Sequence, residues 1–349
     1  MGKTVIRIIC FVLIFTGLWT AAGFVLNHDW NIREYLPERY ADLEQEKNLD
    51  IIMLGGSNVY SAVAPSVIWH EAGITSFNLG DPASCNMIFY YQLKYVLKHH
   101  LPSLVILDMA GLSTEKDPVS AEAAFRRAYA TMPDVEIQKQ LLDDMYAHWP
   151  HTDRMAYLFP LLRYHERWDK LSEEDFNAKE REDHYKSYSK GCRFSLSVRE
   201  FAMPEDLFRS DREQVMDVNM EYLEKIYSLC ANNGIELLLL FCPRMELYDV
   251  DYVAAKEFSK EKGIRFLAFP TASELEGLGI SATQDFLDTR HLNIRGQKKF
   301  SEYLAGYLAI HYTFGSHEND QELCDDWNKA YRRYKKFYKT HCDSLKHSG

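Results

Sequence analysis

Three residues carry the chemistry that this chain could perform. Ser57 follows two glycines in "MLGGSNVYS", and Asp288 and His291 stand three apart in "TQDFLDTRHLNIRG". A hydroxyl, a carboxylate and an imidazole in this chain order suit nucleophilic acyl transfer. The histidine would take the serine proton, and the aspartate would fix the ring tautomer and steady its charge. Each motif alone also has a structural reading. "GGSN" suits a strand-end turn with a capping serine, or a phosphate-binding turn, although it lacks the P-loop lysine and the GxGxxG spacing. "DTRH" suits an aspartate N-cap beside a surface histidine. The motifs gain weight only if the fold unites them. Ser61 is the rival nucleophile, because residues four apart share a helix face. Ser57 is preferred, since it directly follows the glycines, where the backbone can turn tightly.

The elements that would position these residues are legible as apolar runs. Residues 49–55 (LDIIMLG), 74–80 (ITSFNLG), 103–109 (SLVILDM), 235–241 (IELLLLF) and 264–269 (IRFLAF) are short and nearly continuous. Such runs suit strands covered on both faces. Helix-like stretches at 86–98, 215–232, 253–262 and 295–310 lie between or after them. The alternation predicts a three-layer α/β sheet of about five parallel strands with right-handed crossovers. Ligands collect beyond the carboxyl ends of such strands. Ser57 follows the first run, and Asp288 and His291 follow the fifth, so all three fall at that end. Arg244 in "FCPRM" follows the fourth run, as an anion-binding group or a salt-bridge partner. Arg290 suits solvent as well as the site, and Asn293 suits the cap of the last helix.

The remainder of the chain frames this domain. Of 349 residues, 46% are hydrophobic and 26% charged, which is ordinary for a globular protein. The net charge of −11 argues against a general affinity for nucleic acid. Residues 8–26 (IICFVLIFTGLWTAAGFVL) are uncharged and long enough to cross a bilayer as a helix. Lys3 and Arg7 precede this run and Asp29, Glu34, Glu38 and Asp42 follow it, which places the main domain outside the cytoplasm. Ala21, Ala22 and Gly23 would suit signal-peptide cleavage, but the apolar run continues past them, so an uncleaved anchor is the reading adopted. The organisation is then an anchor at 1–27, a juxtamembrane segment at 28–48, the α/β domain at 49–312 and a helical tail at 313–349. An insertion at about 113–212, rich in charge, aromatics and proline, is read as a helical cap, with 122–146 helical. The seven cysteines form no CxxC, so mostly free thiols are expected, with Cys324–Cys342 conceivable. His148 and His151 in "HWPH" lack the spacing of a metal site.

These motifs resemble the SGNH (GDSL-like) hydrolase superfamily, and in particular its membrane-anchored Gram-positive members, including the D-alanyl transfer family of teichoic acid modification. The resemblance covers roughly 49–308. "LGGSN" is similar to the nucleophile block, "SFNLG" to the second block and "DTRHL" to the last. It implies a flavodoxin-like sheet, a Ser57–His291–Asp288 triad and an oxyanion-hole amide from Gly80, without metal or organic cofactor. Two departures stand out. The first block reads Gly-Gly-Ser instead of Gly-Asp-Ser, and the third strand ends "LDMAG" where the family offers an asparagine. Asn78, Ser84 or Asn86 would have to substitute. The resemblance implies a serine esterase or O-acyltransferase acting on an acylated cell-surface polymer, glycan or lipid carrier. The alternatives are a non-catalytic partner of a membrane-bound acyltransferase and a carbohydrate-binding module.

The apolar run generates the first test. The full-length chain is expected to fractionate with membranes, and protease added to intact cells should reach the main domain. Digestion only after lysis would reverse the orientation.

Overall fold

The computed structural model describes residues 2–27, 36–176 and 187–345. The chain forms two compact units, one of residues 1–37 with 117–184 and the other of residues 38–116 with 185–349.

The second unit holds the sheet. Its strands are β1 (Ile51–Leu54), β2 (Ser76–Asn78), β3 (Leu104–Asp108), β4 (Glu236–Leu240) and β5 (Arg265–Leu267). All pairings are parallel, in the order β2-β1-β3-β4-β5. Every residue of β1, β2 and β3 is buried, the polar Ser76, Asn78 and Asp108 included. The order reverses between β1 and β3, which opens a crevice at their carboxyl ends. One core cluster joins Ile51, Met53, Ile106 and Leu238 to Phe300, Leu304 and Leu308. These last three lie at helical spacing on the Ile294–His311 helix. Burying each such side chain contributes about 1.5–3 kcal/mol. Asn293 caps that helix, accepting from the Arg295 and Gly296 amides at 2.9 and 3.3 Å.

The turn after β1 has no spare volume. Gly55 has φ +149°, and a Cβ there would lie 2.6 Å from the Asp108 Cβ and 2.7 Å from Val59. Gly80, after β2, packs against the same turn, since a Cβ on it would lie 2.9 Å from both the Gly56 carbonyl oxygen and the Tyr60 nitrogen. Asn78 locks the arrangement. Its fully buried side chain donates to the Val59 and Val63 carbonyls at 3.0 and 3.1 Å and accepts from the Gly80 amide at 3.0 Å.

Two flanking segments belong to this unit as well. The Leu36–Gln45 helix buries Tyr40 and Leu43, and its Arg39 donates to the Gly80 and Asn78 carbonyls at 2.8 and 2.6 Å. The part of the juxtamembrane segment at 38–48 is therefore built into the domain, while 28–35 lies outside the described residues. The Gln321–Leu345 helix buries Leu323, Trp327, Ala330 and Tyr334. It packs on the Pro65–Ala72 helix. The conceivable Cys324–Cys342 pairing fails on geometry, and the expectation of free thiols holds. Both lie on this one helix, about 27 Å apart at 1.5 Å per residue, and all seven cysteines are free.

The expected insertion is divided between the two units. Residues 185–212 belong to the sheet unit, where Lys190 and Arg193 pair with the backbone of Asn78 and Tyr60, and Phe208–Arg209 pairs with Leu247–Tyr248. Residues 117–184 group instead with the N-terminal helix. The helix expected over 122–146 is two, Glu122–Thr131 and Val135–His148, because Pro133 interrupts the pattern and Asp134 caps the second by accepting from the Ile137 amide at 2.9 Å. The Gly2–Leu26 helix has no buried residue and is long and apolar enough to span a membrane. Arg167, in the "HERW" stretch, donates to the Leu26 carbonyl at 2.8 Å and to Asp175 at 3.0 Å.

Asn78→Ala would take this partner from the buried Gly80 amide and Val63 carbonyl, and leave the Val59 carbonyl with the Val63 amide alone, a cost of about 3 kcal/mol. The expected fall in Tm is roughly 6–12 °C. Calorimetry showing a change below about 2 °C would mean that the turn is held by packing alone.

Candidate active site

Ser57 opens the short Ser57–Ala62 helix directly beyond β1, with the extended Gly56 ahead of it. Its Oγ lies 2.7 Å from Nε2 of His291, across 234 residues of sequence. Nδ1 of His291 lies 2.9 Å from both carboxylate oxygens of Asp288. Asp288 Oδ1 also accepts from the Arg290 and His291 amides, at 2.8 and 3.0 Å. The carboxylate is thus aimed by its own loop before it meets the ring. All three side chains are partly exposed, as a site open to substrate requires.

The loop carrying Asp288 and His291 is closed upon itself. Phe286 and Leu292, both buried, form an antiparallel bridge, and the Leu287 amide donates to the His291 carbonyl at 2.9 Å. Beyond it, Asn293 donates to the Gln284 carbonyl at 2.8 Å. The segment after β4 supplies a further brace. The Met245 amide donates to the Thr289 carbonyl at 2.8 Å, and Glu246 pairs with Arg290 and, at 3.1 Å, with Arg209.

Of the other sequence-derived candidates, Arg244 and Arg290 line the cleft with Ser57 and His291. Gly80 does not offer its amide to that cleft, because the amide is donated to Asn78. Asn78 in turn has its side chain spent on the turn. Ser84 is buried, and its carbonyl accepts from Lys116 at 2.6 Å. Asn86 starts the Asn86–His99 helix and donates to the Asn219 carbonyl at 2.8 Å. The candidates for the missing asparagine therefore serve the scaffold, and none of the three lines the cleft. Ser61 is buried, and its Oγ donates back to the Asn58 carbonyl at 3.1 Å, which removes the rival nucleophile from the triad.

The cleft has a volume of about 280 Å³. Several of its residues escaped the sequence reading: Asn58, Lys116, Glu246 and Asp251 line it. Asp108 stands behind it at the end of β3. Burial pushes the Asp108 carboxyl above the usual aspartate range, opposed by Arg244 and by the Cys242 amide, which donates to it at 3.2 Å. Asn58 reaches Asp108 at 3.5 Å, the outer limit of hydrogen bonding. Burial likewise raises Asp251, which shapes the post-β3 loop by accepting from the Gly111 and Ser113 amides at 2.8 and 2.6 Å. Burial lowers the Lys116 ammonium. An acid ending the apolar run "SLVILD" was the available signal for Asp108. Asp251 and Lys116 lie on helix and loop patterns that carry none.

No family model matches the chain, and no curated protein matches it.

Burial pushes Asp288 upward, but the His291 ring, the Arg290 amide and the His291 amide together hold it below its ordinary value. Carboxyl carbon NMR should therefore find Asp288 titrating below the usual ~3.9. In His291→Ala, where the ring is gone, its midpoint should rise. A midpoint that stays put would assign the depression to the loop amides alone.

Proposed function

We propose that the chain is a membrane-anchored serine acyl-ester hydrolase or O-acyltransferase of the SGNH type, with its main domain outside the cytoplasm. The observation that carries the reading is the Ser57–His291–Asp288 relay, with its 2.7 Å and 2.9 Å links. Support comes also from its place at the carboxyl ends of strands ordered 2-1-3-4-5, a doubly wound order.

In this reading Ser57 Oγ attacks the acyl carbonyl while its proton passes to His291 Nε2. Asp288 holds the Nδ1–H and steadies the imidazolium. The tetrahedral intermediate then collapses, the C–O bond to the leaving alcohol breaks, and His291 returns the proton to that alcohol. The acyl group remains on Ser57. Water or a glycan hydroxyl next attacks the acyl-serine, again losing its proton to His291, and Ser57 is regenerated. Hydrolysis and transfer differ only in this acceptor. The anchor favours an acylated wall polymer, cell-surface glycan or lipid carrier as substrate.

The oxyanion is the weak point of the machinery. With the Gly80 amide spent on Asn78, the amide of Ser57 itself, in the first turn of its helix, is the backbone donor left by this reading. A missing donor costs ~10²–10³ in rate. A slow, specialised acyl transfer fits this better than fast general ester hydrolysis. The same observation favours a second reading, a non-catalytic partner of a membrane-bound acyltransferase that has kept the fold.

A fluorophosphonate probe separates the two. It should label Ser57, fail on Ser57→Ala and His291→Ala, and still label Ser61→Ala. Asp288→Asn should fold normally and lose turnover by ~10⁴, the loss seen when the equivalent group is neutralised in a well-studied triad. A folded wild-type protein that resists the probe would favour the non-catalytic partner.

A further inference from the structure

We propose that the outward face of the Gln321–Leu345 helix docks on an anionic lipid bilayer, the one that the Gly2–Leu26 helix is read as entering. The proposal rests on that anchor and is independent of whether Ser57 is catalytic.

The helix is divided along its length. Its first turns carry acids that bind the domain: Glu322 pairs with Lys47 at 2.9 Å and Asp326 with Lys190 at 2.6 Å. The stretch "KAYRRYKKFYKTHC" at 329–342 then contains Lys329, Arg332, Arg333, Lys335, Lys336 and Lys339 and no acid. All six cations are exposed, and none of them has an ion-pair partner among the described residues. At 100° per residue they fall within an arc of about 160°. The complementary arc, with Trp327, Ala330 and Tyr334, is buried against the domain. The aromatic face is thus already occupied, and the basic face is the free one.

Two ordinary explanations fall short. Cations complement a helix dipole only in the last turn, and this helix has no basic residue there. General solubility is no account either, because the chain as a whole carries −11, so this patch opposes the net sign. The bilayer as occupant follows from charge complementarity and from reach. From Leu26 to Leu36 the chain can span at most about 35 Å, so the domain stays close to the membrane. A row of cations about 15 Å long, held near an anionic surface, is attracted within a Debye length of it.

The test uses the full chain in nanodiscs, one set of phosphatidylcholine alone and one with phosphatidylglycerol added. Lysines are acetylated in both and read by mass spectrometry. Lys329, Lys335, Lys336 and Lys339 should react at least ~3-fold more slowly in the anionic discs, with Lys256 and Lys260 unchanged. The protection should vanish in 1 M salt, where the Debye length falls to about 3 Å. Combined Arg332→Glu, Arg333→Glu and Lys336→Glu should abolish it at Lys329 while thermal melting is unaltered. Equal rates in the two discs overturn the proposal. So does protection produced only by soluble poly(glycerol phosphate), which would assign the face to a polymer. A chain that enters neither disc overturns the anchor and the docking together, whatever the probe reports at Ser57.

Discussion

No side chain fits at position 55, and much of the architecture follows from that. The chain must leave β1, reverse and enter a helix in the space between the end of β3 and the end of β2. Gly55 does so only because its positive φ and missing Cβ avoid Asp108 and Val59. Gly80 lets β2 close against the same turn, and Asn78 ties three backbone groups across the contact. The result fixes Ser57 relative to three strands at once. A serine on a free loop would lose conformational entropy each time it aligned for attack. Here that cost is met in folding, by contacts remote from the hydroxyl.

The histidine reaches the serine by an independent route. β5 lies three strands from β1, and its following loop must return across the carboxyl ends of the sheet. Asp285 anchors that return, accepting from the Ser281 amide at 2.6 Å and from Lys299 at 2.7 Å. The Phe286–Leu292 bridge then closes the loop to a width that leaves Asp288 and His291 on its rim. Glu246 adds a clamp from the segment after β4, holding Arg290 on the loop and Arg209 on the segment that pairs beside it. The triad therefore depends on the sheet being complete. Any change that shifts β4 relative to β5 alters the Ser57–His291 distance before it touches either residue.

This division explains what was legible in the sequence. The five strands were, because short, nearly continuous apolar runs suit a covered sheet; β1, β2 and β3 are buried throughout, while the edge strand β5 exposes Arg265. The Ser57 and His291 motifs followed from their positions at strand ends. The role of Gly80 was not, because residue type does not encode where an amide points. Only the hydrogen-bond partner shows that Asn78 takes it. Asn78, Asn86 and Ser84 looked equally able to replace a missing asparagine, and packing separates them. The Leu36–Gln45 helix was hidden by its polar composition, in which Leu36, Tyr40, Ala41 and Leu43 are a sparse apolar signal. The grouping of 117–184 with the N-terminal helix had no sequence mark, since contacts between distant segments leave no local periodicity. The missing Cys324–Cys342 link follows from the same point in reverse. The tail was read as helical, and one continuous helix over both cysteines imposes a separation that no disulfide spans.

The charges of the cleft bear on what it could accept. Lys116, Arg209, Arg244 and Arg290 line it, and at first sight they suit a polyanion. Each is answered locally. Glu246 neutralises one of Arg209 and Arg290, Asp108 and Asp251 bracket Arg244, and Asp288 stands behind the histidine. Burial pushes Asp108 and Asp251 toward protonation and Lys116 toward its neutral form. The terminal helix differs, since its six cations at 329–339 have no ion-pair partner among the described residues. If the chain docks on a bilayer and acts on an ester as proposed, the two tasks make different demands on charge. The fold meets them on different elements, so each can change without disturbing the other.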